Sequence, residues 1–195
     1  MSTAFEQLWT FMDQYVLFSK QEKAIIQPYF IQKKFNKQNR LVDLGSISKE
    51  VFFIVEGCLR YYYITEDGRE ITGFIFQENM FAGSHNSFFN QVPSSQVLET
   101  IEASTVLSLN YTALMELYQK VPKMNELVRK ILEHRFAFAQ SVIASLITNK
   151  PEERYRQLIQ QQPNLVHRVP LHILATYLGI TPVSLSRIRA RKAKK

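Results

Sequence analysis

The sequence predicts an α+β chain: an N-terminal double-stranded β-roll of the jelly-roll type, then one long helix, then a small helical domain. Three observations predict it. Five of the six glycines (Gly45, Gly57, Gly68, Gly73 and Gly83) fall between Phe35 and Leu109, where they separate short β-branched and aromatic runs. From Pro122 to about Asn149 no glycine occurs, and apolar residues recur at helical spacing. Between Leu171 and Ile188 the small, glycine and apolar positions carry the spacing of a helix-turn-helix.

Taken in order, Phe5 to Phe18 place apolar residues at 5, 8, 9, 11, 12, 15, 16 and 18, which predicts a helix. Ser19 with Glu22 three residues later forms a capping-box pattern for a second helix over Lys20 to Phe30, which Pro28 should end or distort. The runs Val51–Val55 and Leu59–Ile64 flank a tight-turn signal at Glu56-Gly57-Cys58. Asp67-Gly68 supplies the positive-φ residues of a hairpin between Ile64 and Ile71. Ile71–Phe76 and Gln96–Leu109 provide further strands. Asn110 can cap a helix over Tyr111 to Lys120, and Pro122 opens the long one. The stripe of the long helix, which includes Leu127, Ile131, Phe136, Ala139, Ile143 and Leu146, is broader than one domain face needs. A second copy of the same helix would cover the excess, so a homodimer seam is expected; the other reading is one helix capping its own roll. Pro151 begins another helix, which Gln160 to Asn164 close. The expected segments are 1–121, roll with flanking helices; 122–149, dimerisation helix; and 150–195, helix-turn-helix domain.

Charge divides the chain the same way. The formal charge is +7. Residues 141–195 hold ten Lys/Arg against two acids, +8, while residues 1–140 hold fourteen against fifteen, −1. A basic tail such as Arg191 to Lys195 can be merely a solvated end, but here it continues an amphipathic segment with its own turn, which points to a polyanion, nucleic acid first. A single Cys58 excludes a disulfide framework, a Cys-ligated iron–sulfur cluster and a Cys-rich zinc site. No basic n-region with an apolar stretch follows Met1, and no apolar run nears the ~18 residues that a membrane span needs, so a cytoplasmic setting away from membranes is expected.

Within the helix-turn-helix pattern, Ala175 falls where two helices cross and only a small side chain fits. Gly179 permits the left-handed turn, and Ile180, Leu185 and Ile188 are spaced to face a small core. Thr181 can cap the second helix with Pro182 at its first position. The early residues of such a helix meet base edges in the major groove of double-stranded DNA. Arg187 is the candidate for a bidentate contact to guanine and Ser184 for a base or phosphate hydrogen bond. Val183 faces outward beside them. Thr181 and Ser186 suit phosphates, with Arg189, Arg191 and Lys192 adding attraction.

A roll with Gly45, Phe52-Phe53-Ile54-Val55-Glu56-Gly57, the Asp67-Gly68 hairpin, Phe81-Ala82-Gly83 and the closing Gly179 to Ile188 resembles the Crp/Fnr superfamily of transcription regulators, over about residues 20–191. The resemblance implies a cyclic-nucleotide-binding-like roll, a dimerisation helix and a C-terminal winged-helix domain whose wing precedes the recognition helix or is minimal. It also implies an effector pocket about Gly83, Ser84, His85, Asn86, Ser94 and Ser95. In the cyclic-AMP-binding pattern a Gly-Glu pair offers a carboxylate to the ribose, and an Arg-Ser pair eleven residues on binds the phosphate. Counted from Gly83, those anchors are Ser84 and Ser94-Ser95. A buried phosphate without its cation lacks the charge-assisted bond that holds it, so cyclic AMP is not expected to bind in the usual way. The stretch Ser84 to Asn90 could line a pocket for another small-molecule effector or be a filled loop.

The cluster-bearing, oxygen-sensing branch of that superfamily needs several cysteines and is excluded, and His85 is a lone candidate haem ligand, so no cofactor is expected. A regulator that activates would also contact RNA polymerase, and no residue identifies that surface. Two rival classes remain: a cupin-like, metal-dependent β-roll enzyme, and an interaction module whose roll binds a protein. The four histidines (His85, His134, His167 and His172) are scattered, and no nucleophile elbow, P-loop or paired-carboxylate pattern occurs, so no catalytic residue is expected. The basic C-terminal region argues against the module.

Overall fold

A computed structural model describes Thr3–Ala193; Met1, Ser2, Lys194, Lys195 and the side chains of Lys192 and Ala193 lie outside the described residues. The contribution expected of Lys192 falls there.

The first helix, α1 (Ala4–Met12), is shorter than its apolar spacing predicts. Asp13 caps its end, its carboxylate 2.5 Å from the Lys23 ammonium, and Val16 and Phe18 are buried from the irregular segment that follows. Helix α2 (Lys20–Ile26) begins with the expected capping box, both bonds formed, and Pro28 lies in a 3-10 turn over Gln27–Tyr29. The Ser19 N–H and then the Lys123 ammonium hold the Glu22 carboxyl below the usual range.

Eight strands follow: β1 (Ile31–Phe35), β2 (Arg40–Val42), β3 (Glu50–Glu56), β4 (Leu59–Ile64), β5 (Glu70–Phe76), β6 (Phe81–Ala82), β7 (Val97–Thr100) and β8 (Ser104–Asn110). They form two four-stranded sheets, ordered β1-β8-β3-β6 and β2-β7-β4-β5, with antiparallel pairing of β1, β3 and β8 and of β2 with β7. Strands β3 and β4 flank the tight turn but belong to different sheets, so Gly57 turns a corner of the roll rather than a hairpin. Its φ of +109° is open to glycine, and its N–H donates to Glu78 Oε1 at 2.9 Å. The hairpin β4–β5 turns at Gly68, φ +80°, as its Asp-Gly pair predicts.

Buried Val51, Phe53, Leu107 and Leu109 pack with Leu8, Met12 and Ile26, with Leu114 and Leu117 of α4 (Tyr111–Lys120), and with Met124, Leu127 and Ile131 of α5 (Lys123–Thr148). Phe52 and Ile54, alternating with Val51 and Phe53 along β3, are also buried. Asn110 accepts from the Ala113 N–H at 2.8 Å and so starts α4 as expected.

After α5 come α6 (Pro151–Gln161), α7 (Pro163–Arg168), α8 (Leu171–Tyr177) and α9 (Pro182–Ala193). The expected wing is not found: among the described residues after Asn149 there is no strand. The stretch before α8 instead uses Pro163 to open the short helix α7, which buries Leu165.

The chain forms two compact units. One gathers residues up to Tyr61 with Ile75–His134; the other gathers Tyr62–Phe74 with Arg135 onward. Helix α5 passes from the first group of residues into the second at His134/Arg135, and the β4–β5 ribbon is grouped with the C-terminal helices. In that second unit the Thr72 N–H donates to Thr176 Oγ1 at 3.2 Å, the two hydroxyls lie 3.0 Å apart, and Phe74 meets the Phe138 ring edge-on at 5.6 Å.

Candidate nucleic-acid interface and effector region

The small core of the C-terminal helices comprises Tyr155, Leu158, Leu165, Val169, Ile173, Leu174, Leu178, Leu185 and Ile188, with Ala175 fully buried at the helix crossing. The turn between α8 and α9 is closed by three backbone bonds of 3.0 Å: Leu178 N–H to Leu174, Gly179 N–H to Thr176 and Ile180 N–H to Ala175. Gly179 has φ +66°, as the turn demands. Ile180 is only half-buried; Leu185 and Ile188 carry the core. Thr181 Oγ1 accepts from the Ser184 N–H at 3.1 Å, and the two hydroxyls lie 2.9 Å apart, so α9 starts where its cap residue predicts.

The first turns of α9 present Thr181, Val183, Ser186 and Arg187 to solvent, with Ser184 half-buried between them. Arg189 does not join them. Its guanidinium lies 5.8 Å from the Tyr155 ring centre and donates to the Val166 carbonyl at 3.4 Å. A helical wheel turns Arg189 outward, but its long stem folds back onto the domain, where the Tyr155 face and the Val166 carbonyl hold it. Arg191 is exposed and lies 3.3 Å from Glu152, an ion pair weak enough in water to yield to a phosphate.

The effector positions are arranged differently from an open pocket. Ser84 and Ser94 are buried, and Ser94 Oγ donates to Ser84 Oγ at 2.8 Å. Backbone bonds from Gly45 N–H to Ser94 O and from Ser94 N–H to Ser46 O, 2.7 and 2.8 Å, pin the same loop. Gly83 is buried against Val51, whose Cγ1 would lie 3.1 Å from an added Cβ. The stretch after Ser84 forms helix α3 (His85–Asn90), ended by Gln91 at φ +52°. On it, Asn86 is exposed and accepts from Asn90 Nδ2 at 2.8 Å, and His85 Nδ1 lies 2.9 Å from the Gly83 carbonyl, which fixes the proton on that nitrogen. The other side of His85 borders a cavity of about 50 Å³ lined by Phe30, Phe81, Phe89, Leu127 and Ile131 among others. Ser95 is exposed. Ser84 and Ser94 therefore come together, whereas Asn86 and Ser95 point to water.

Two features escaped the sequence reading. Arg154, in the first turn of α6, donates to two backbone carbonyls, and Thr176 bonds the ribbon. A cation where helices prefer acids was the available signal for Arg154. Among the described residues no three His, Cys, Asp or Glu side chains gather as a metal-ligand set, and no helix is long and apolar enough to cross a membrane.

The chain thus carries a β-roll followed by a helix-turn-helix whose second helix begins exposed. Residues 32–121 match the family described as the cyclic nucleotide-binding domain. The chain is 28% identical over 184 residues to electron transport regulator A of Shewanella oneidensis and 28% identical over 178 residues to the fumarate and nitrate reduction regulatory protein of Yersinia pestis. Each match covers 84% of this chain and 69% of the relative. Its fold is similar to that of FixK2 from Bradyrhizobium japonicum, with a TM-score of 0.74 at 14% identity over 85% of each chain. These similarities support a transcription regulator of the Crp/Fnr type.

Proposed function

We propose that the chain binds double-stranded DNA sequence-specifically as a homodimer, reading bases through Arg187 and Ser184 while Thr181, Ser186 and Arg191 hold phosphates, and that it does no catalysis. The observation that carries this reading is the exposed first turns of α9 on a region of charge +8. Val183, 60% exposed, suits a thymine methyl. The assignment of Arg189 is narrowed to a structural role by its packing on Tyr155. Dimerisation would place two recognition helices about 34 Å apart, in successive major grooves of a pseudo-palindrome. Residues 1–121, 122–149 and 150–195 then serve as sensing, dimerising and reading segments. The setting proposed is cytoplasmic, and RNA polymerase is a partner if the chain activates.

The test is selection from a randomised duplex pool followed by fluorescence anisotropy at two salt concentrations. The wild type should recover a palindrome and bind it far more tightly than random duplex; equal affinity for both sinks the proposal. Arg187→Ala should weaken binding to that palindrome by about 1–3 kcal/mol and relax one base position. A uniform loss on every sequence would demote Arg187 to a phosphate contact.

For the roll, the reading is that cyclic AMP is not taken through a carboxylate and a cation. The bond that Ser94 donates to Ser84 supports it, because two neutral hydroxyls cannot replace the charge-assisted phosphate bond. Calorimetric titration of cyclic AMP into the full chain should give no saturable heat at micromolar concentrations; micromolar binding would overturn this reading. A different effector would have to be small and largely apolar to use the cavity beside His85.

A further inference from the structure

We propose that Arg154 is a positioning residue that locks the recognition turn to the end of the long helix, and thereby sets the spacing of the two reading heads. This rests on the dimeric DNA-binding reading above.

Arg154 lies in the first turn of α6 and is half-buried. Its Nε donates to the carbonyl of Leu178 at 3.0 Å, and its Nη1 donates to the carbonyl of Asn149 at 2.7 Å. Leu178 caps the C-terminal end of α8, and Asn149 directly follows the last residue of α5. Both acceptors are therefore helix-end carbonyls carrying negative partial charge, and one planar cation caps two helices at once. The fork of a guanidinium allows this through separate nitrogens; the single ammonium of lysine does not offer the same geometry.

The packing converges on the same point. A Cβ added at Gly179, next to Leu178, would lie 3.3 Å from Leu146 Cδ2 and 3.7 Å from Arg154 Nη2, so α5, Arg154 and the turn meet there. The α5–α6 corner is itself braced: Asn149 Nδ2 donates to Ser145 Oγ at 3.1 Å and to Gln157 Oε1 at 3.3 Å. A rotation of α5 in a dimer seam would carry the braced corner, Arg154 and the α8–α9 turn together.

Two arms test it, on the full chain. Without DNA, Arg154→Met keeps the stem but removes both donors. Amide exchange should then rise about tenfold at the Asn149 amide and at Gly179 and Ile180 together, with β3 and β8 unchanged. Loosening at one end only, or at neither, overturns the proposal. With DNA, the probes are the palindrome selected by the wild type and the same duplex with a single base pair inserted between its halves. Arg154→Met should shrink the wild-type preference between them about tenfold, with Arg154→Lys between the two. A loss of affinity equal on both duplexes overturns the positioning role. If the wild type selects no palindrome, the DNA-binding reading fails, and the exchange arm alone decides whether Arg154 couples the two helix ends.

Discussion

A full-length variant carrying Phe136→Asp and Ile143→Asp is expected to be monomeric and to lose at least about a hundredfold in affinity for a palindromic operator. On α5, Phe136 is 67% exposed, Ile143 56% and Ile147 78%, an unusual cost for side chains that gain most from leaving water. Phe136, Ala139, Ile143 and Leu146 follow alternating spacings of three and four, the heptad seam of a two-stranded coiled coil. Burying one Phe or Ile side chain contributes about 1.5–3 kcal/mol, and two-fold symmetry counts each twice. Introduced carboxylates face their own copies across the seam, so repulsion adds to the lost burial. Sedimentation equilibrium and anisotropy on the same samples provide the check. A wild type that stays monomeric at the concentrations that saturate DNA, or a double variant that still dimerises, would refute the seam.

Gly57→Ala is expected to destabilise the roll by roughly 3 kcal/mol or more, a large share of the 5–15 kcal/mol that holds a typical domain. Two causes combine at this corner between the sheets. The φ of +109° is strained for any L side chain, and an added Cβ would come within 2.2 Å of Ser104 Oγ and 2.7 Å of Ser104 Cα. The second contact is with backbone, so rotating the serine cannot relieve it. Gly68→Ala, at φ +80° with nothing within 4 Å, isolates the conformational part and should cost only about 1 kcal/mol. Urea unfolding of the two variants separates the terms. Equal midpoints would show that the Ser104 contact yields and that the corner is less tightly built than its geometry implies.

Much of this architecture was legible from local chemistry. Ser19 with Glu22, Asn110, Thr181 with Pro182, Asp67-Gly68 and Gly179 each act within a few residues, and each sits where its chemistry predicts. Features decided over long distances were not legible. The helix ending at Met12 is set by Asp13 meeting Lys23. The separation of β3 from β4 depends on which strands lie across from each, and the inward turn of Arg189 on Tyr155 and the Val166 carbonyl. At the candidate effector site, the sequence showed that the charged anchors are replaced by serines. Only the fold shows that Ser94 donates to Ser84, since residues ten apart meet across a loop whose conformation leaves no periodic signal. The same holds for Arg154, whose acceptors are backbone carbonyls and therefore invisible in side-chain patterns.

The ribbon that bonds Thr176 also bears on the order in which the chain acquires its structure. Thr72 and Thr176 are 104 positions apart, so the ribbon leaves the ribosome long before the helix it meets. Contacts of such separation form late, after local helices and hairpins. The unit containing the recognition helix is thus discontinuous in sequence, and it completes only when nearly the whole chain is available. A nascent chain truncated before α8 would carry a finished hairpin with an unmatched face. A graft of residues 150–193 onto another protein would leave behind the strand pair that this head packs against.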